Sequence, residues 1–143
     1  MIDALVFAAA VAAGPGTVTI EQVQRVASHI PTQWRPFAEC VSARESNHNH
    51  RSVNRSSGAA GRWQFLPAWR HGLPYMVTAR LVAAGYPKSE RKALRIRLQK
   101  TPIQKWEPIY QDVGFVAALL APNGQGWRHW SLPGSRCQGL VPR

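Results

Sequence analysis

Acids are scarce in this chain, so any proton chemistry must come from a short set: Asp3, Glu21, Glu39, Glu45, Glu90, Glu107 and Asp112. Glu45 has the most informative setting. Phe37, Cys40, Val41 and Arg44 fall at i, i+3, i+4 and i+7, one face of a helix. Glu45 lies four residues beyond Val41 and prolongs that face, so its carboxyl is expected to be partly desolvated. Desolvation favours the protonated carboxyl that a general acid needs. The plainer alternative is a helix-terminal Glu bonded to Arg44 or to a loop amide. The helix should stop here, because Ser46, Asn47 and Asn49 prefer caps and turns. No two acids lie close in sequence, so a two-acid site would need a partner from far along the chain. Asp112 is the candidate; its plainer role is to fix the fold by binding an Arg or loop backbone.

The elements that position these groups belong to one domain. The 143 residues are 45% hydrophobic and 17% charged, which suits a globular chain with its own core rather than disorder. Eighteen Lys and Arg against seven acids give a net charge of +11. Such a surface attracts polyanions: nucleic acid, anionic lipid or an anionic wall polymer. His48-Asn49-His50 spells a nuclease signature by letters alone; that chemistry spreads its residues over a longer unit with several acids. No Cys or His spacing suits a metal, and His48, His50, His71 and His129 read as solvated loop residues or substrate-edge donors. Cys40 and Cys137 are either one disulfide or two buried thiols.

Taken in order, the apolar run Ala4–Ala13 reads as a buried N-terminal helix rather than a secretion signal, and is too short to span a membrane. A second helix is expected over 17–29, capped by Thr19. The helix carrying Glu45 runs from Gln33. A turn-rich stretch, 51–61, leads to a short β-ribbon over Arg62–Leu66. Further helices are expected over 73–84, 88–100 and 108–120, the last the most regular. The final LVPR, residues 140–143, matches a tag-cleavage remnant, leaving residues 1–139 as the domain.

The run CVSARESNHNHRSVNRSSGAAGRWQF resembles the lysozyme-like transglycosylase domains of resuscitation-promoting factors and actinobacteriophage lysins. The shared pattern is Cys40, Glu45-Ser46, Val53-Asn54 and Gly61-Arg62-Trp63-Gln64-Phe65. Trp106, Gln111-Asp112, Phe115, Gly126-Trp127 and His129-Trp130 resemble the later part of the phage-type domain. Asn47-His48-Asn49-His50 stands where members often have glycines. The resemblance implies a mainly α, lysozyme-like α+β fold with a cleft. It implies cleavage of the N-acetylmuramic acid–β-1,4–N-acetylglucosamine bond of peptidoglycan outside the cytoplasm by a phage-encoded or secreted enzyme. Glu45 would be its acid, and a disulfide would join the Glu45 helix to the C-terminal segment through Cys40 and Cys137.

On that reading no cofactor or metal is needed, and the chain acts as a monomer. Ser46, Asn54 and Gln64 would hold sugar amides and hydroxyls, with loop bracing as the alternative. Trp63, Trp69 and Trp130 would stack on sugar faces, although a Trp is more often core. The partners are glycan strands and, through the basic surface, anionic wall polymers; neither nucleic acid nor stable membrane insertion is expected. The rivals are a hydrolytic lysozyme using Asp112 and a wall-binding module without catalysis.

Overall fold

Proline and threonine set most of the helix starts. Thr19 accepts from the backbone N–H of Gln22, and the Gln22 side chain accepts from the Thr19 N–H, a reciprocal cap. Pro36 and Pro108 lie in first turns, where a missing N–H breaks no helical bond. The computed structural model describes residues 18–131 and 136–143; the expected helix at Ala4–Ala13 lies outside the described residues. Five helices lie among the described residues: α1 (Ile20–Gln22), α2 (Arg35–Ser46), α3 (Trp69–Leu81), α4 (Lys88–Lys100) and α5 (Pro108–Leu119). The described chain is mainly helical.

Three boundaries differ from expectation. The helix expected over 17–29 is α1 running into a π-helical turn, Val23–Ala27. α3 begins at Trp69 and passes through Pro74, because the preceding turn is already closed by the Trp69 N–H to the Leu66 carbonyl (3.0 Å). The β-ribbon is reduced to isolated antiparallel bridges, Val53↔Ala60 and Ala60↔Phe65. Gly61 (φ +81°) and Gln64 (φ +53°), both left-handed, interrupt any ladder there.

α5 is the core helix. Ile109, Tyr110, Val113, Phe115, Val116, Ala118 and Leu119 are all buried, as expected of a helix apolar on most sides. It packs on α3, which packs in turn on α4; the π-turn lies against α5. Tyr86 and Tyr110 close one edge of this core by hydroxyl contact at 3.0 Å. Among the described residues no helix is long and apolar enough to cross a membrane.

α2 is fastened differently. Cys40 and Cys137 form a disulfide across 97 residues, joining α2 to the 3-10 turn Arg136–Leu140. Within Leu140–Arg143, Val141 packs on the core and its N–H bonds the Gln138 carbonyl at 3.2 Å.

Candidate active site

Glu45 is the second-last residue of α2, one turn beyond the buried Val41. The helix ends because Asn47 (φ 52°) and His48 (φ 63°) are both left-handed. Their N–H groups return to the Ala43 and Ser42 carbonyls at 3.0 and 3.1 Å, which satisfies the orphan acceptors of the last turn. The Glu45 side chain is 27% exposed. It is not a free acid: Arg44 Nη2 donates to its Oε1 at 2.6 Å, the pairing held as the alternative above. The same nitrogen donates to the Trp130 carbonyl. Trp130 is itself fixed, since its indole N–H donates to the Trp63 carbonyl at 2.7 Å. The guanidinium therefore has an anchor independent of Glu45. Glu45 Oε2 takes no hydrogen bond from any described residue.

The loop after Glu45 is braced by the side chains expected to hold sugars. Ser46 Oγ donates to the Arg62 carbonyl at 2.7 Å and accepts from the Asn49 N–H. Asn54 Oδ1 accepts from the N–H groups of Ser56 and Ser57, a turn made by its own side chain. The Gln64 amide donates to the Gly61 and Ser52 carbonyls at 2.9 and 3.3 Å. In this arrangement all three hold loop backbone, the bracing role set beside sugar binding in the sequence.

Asp112 joins α5 to this loop. Its Oδ1 accepts from the Trp63 indole N–H at 2.9 Å and from His50 Nε2 at 3.1 Å, and Arg62 Nη1 lies 3.6 Å away. Arg62 Nε also donates to Ser42 Oγ at 2.6 Å, leaving the hydroxyl proton of Ser42 for His48 Nδ1 at 2.7 Å. His48 and His50 are thus bound to protein groups, not simply solvated. The neighbouring Gln111, fully buried, accepts from the Arg62 N–H and donates to the carbonyls of His50, Ile103 and Trp106. Sequence reading did not find the contacts of Arg62 and His50, whose side-chain partners are 20 to 62 residues distant, nor the work of Gln111, which reaches as far as 61 positions away. The only available hint was that buried polar groups need partners.

The tryptophans divide. Trp63 is 1% exposed and stacks on Phe115 at 3.7 Å, with the Arg62 guanidinium 4.6 Å from its ring centre. Trp130 is 4% exposed and meets Phe65 and Phe115 edge-on. Neither keeps a face for a sugar; both are core, which corrects the stacking expectation. Trp69 is half-buried and meets the exposed His129 edge-on at 4.7 Å. That pair, next to Trp130 in the chain, is the aromatic surface left on this side.

Among the described residues no cluster of His, Cys, Asp or Glu could hold a metal ion. Burial pushes the hydroxyls of Tyr86 and Tyr110 up, and burial lowers Arg80, which caps the π-turn through the Ala27 and Val26 carbonyls. Chemically, the site offers one carboxylate with an exchangeable partner and a second that ties elements together. Comparison of the chain with family models, with curated proteins and with solved structures found no match in any of the three.

Proposed function

We propose that the chain cleaves peptidoglycan glycan strands, with Glu45 acting alone as general acid and then base. The supporting observation is the contrast between Glu45 and Asp112. Asp112 holds Trp63, His50 and Arg62 on one oxygen. Glu45 holds Arg44 alone, in a pair whose side chains are 32% and 27% exposed. Pairs this exposed contribute about 1 kcal/mol or less. Opening this one is a small part of a catalytic barrier, and Arg44 keeps its Trp130 anchor when the carboxylate leaves.

The chemistry needs no second acid. Protonated Glu45 gives its proton to the glycosidic oxygen as positive charge builds at the anomeric carbon of the muramoyl residue. The C6 hydroxyl of the same sugar attacks that carbon, and the ionised Glu45 takes the hydroxyl proton. The C1–O bond to the leaving sugar breaks, a C1–O6 bond forms, and the product is a 1,6-anhydro end. The Glu45→Gln variant should fold and bind walls but release no soluble muropeptides. Mass spectrometry of the native digest should show anhydro ends. Reducing ends would mean that water attacks, and would favour a hydrolase using Asp112.

One observation favours a second reading. The Arg44–Glu45 contact is also what a non-catalytic wall-binding module would show. In that case native protein and Glu45→Gln would sediment with walls alike and neither would release muropeptides.

A further inference from the structure

α4 carries six basic residues and one acid, and the structure separates the basic residues into two kinds. The arginines turn back onto the protein. Arg91 donates to the Tyr86 carbonyl at 2.5 Å, Arg95 to the Tyr75 hydroxyl at 3.1 Å, and Arg97 pairs with Glu107 at 2.9 Å. The lysines do not. Lys88, Lys92 and Lys100 are exposed and their ammonium groups make no hydrogen bond or ion pair with any described residue, as is true of Lys105 in the next turn. Lys88, Lys92, Ile96 and Lys100 follow at steps of four, so they form one ridge about 18 Å long.

The N-terminal half of this ridge opposes the stability of the helix that bears it, while Lys100 in the last turn suits the helix dipole. Lys88 sits at the N-terminal end, where the helix dipole repels a cation. Lys88–Lys92 is a like-charge pair at i,i+4, as is Arg91–Arg95. A solvated face would be served better by glutamine.

We propose that the Lys88–Lys92–Lys100 ridge docks on the phosphodiester polymer of a bacterial wall. Charge complementarity carries the argument, and the lysine chemistry narrows it. An ammonium is a point charge on a flexible stem, suited to a flexible chain of single negative charges and not to bidentate readout. Lipid fits poorly, because Leu94 and Leu98 are buried in the fold and Ile96 alone is an exposed large apolar residue on α4. Single-stranded nucleic acid is held by stacking on aromatic faces. The ridge has none, and the nearby exposed Tyr75 carries the Arg95 guanidinium 4.5 Å from its ring centre. The choice of a wall polymer, though not the ridge itself, rests on the function proposed above. Docking there would tether the chain through a helix that packs chiefly on α3 and leave the α2 end to the glycan.

The test reads binding, not cleavage, so its outcome is separate from that of the enzymatic reading. Glu45→Gln protein is sedimented with walls bearing the polymer and with the same walls after acid extraction, over a range of salt. The ridge variant adds Lys88→Gln, Lys92→Gln and Lys100→Gln. A control variant removes the same charge at the exposed Arg25, Arg35 and Arg55. The expected result is at least tenfold weaker binding of the ridge variant to whole walls, and a salt dependence shallower by about two charges. Its binding to extracted walls and its melting temperature should not fall. Equal loss from the control variant, no loss from the ridge variant, or native binding unchanged by extraction overturns the proposal. So does a ridge-dependent affinity for duplex DNA or anionic vesicles that exceeds the affinity for whole walls.

Discussion

Replacing Asp112 separates holding the fold from doing chemistry. Asp112→Ala leaves the indole N–H of Trp63, a residue 1% exposed, without its acceptor at 2.9 Å. An unpaired buried donor costs about 1–3 kcal/mol. The contacts to His50 and Arg62 are 22% exposed on the partner side and add about 1 kcal/mol at most. The sum is about 1–4 kcal/mol. For 143 residues the unfolding entropy is about 0.3 kcal/mol/K, so the melting temperature should fall by about 3–13 °C. Asp112→Asn keeps an acceptor for Trp63 and loses only charge assistance, so it should lose about a third to a half as much. The readings are thermal melts by circular dichroism and clearing of purified walls well below both transitions. If Asp112 only joins α5 to the loop, Asp112→Asn should clear walls within about threefold of the native rate. A loss beyond about a hundredfold with the melting temperature unchanged is the behaviour of a reacting acid or base. That result would refute the one-acid argument.

Three other perturbations follow from the same contacts. Replacing both Cys40 and Cys137 by Ser frees a 97-residue loop and should lower stability by up to about 4–5 kcal/mol in guanidinium melts; an unchanged midpoint would mean that the bridge constrains nothing. Gly61→Ala puts a Cβ 2.4 Å from Gln111 Oε1 at φ +81° and should cost at least about 2 kcal/mol, read as a lower melting temperature. The buried Tyr86 and Tyr110 hydroxyls are raised above the ordinary 10.0, first by desolvation. Their contribution is complete below pH 10 and is lost as pH rises toward the folded values, so the denaturant midpoint should fall above about pH 10. Tyr86→Phe should lower the midpoint at pH 8 by the lost hydroxyl contact but flatten that alkaline fall.

Legibility in the sequence tracked how local the cause was. α4 has the expected bounds, 88 to 100, because Pro87 precedes it and Pro102 follows. α5 differs from expectation by one residue at its end. α3 reads in the sequence as two pieces, a helical turn over 67–72 and a helix from 73, whereas the chain runs through both as one helix from Trp69. The Arg44–Glu45 pair was visible as an alternative, being one residue apart. Trp63 was not readable in the same way. Whether an aromatic face is free depends on what covers it, and here that is Phe115, 52 positions later in the chain.

The same distinction explains why the loop after Glu45 spends so many polar side chains on its own backbone. A segment with two bridges and three non-glycine residues at positive φ cannot satisfy its backbone by ladder bonding. Ser46, Asn54, Gln64 and Gln111 complete it from the side, each taking backbone groups that a longer strand would have paired. Polar density in such a loop measures the backbone left unpaired, and its side chains are poor predictors of sugar contacts. What it builds is a rigid wall beside α2. Against that wall, the carboxylate free to change partners is the one whose partner has somewhere else to stay. Arg44 has the Trp130 carbonyl, so Glu45 can move while the guanidinium keeps a hydrogen-bond partner.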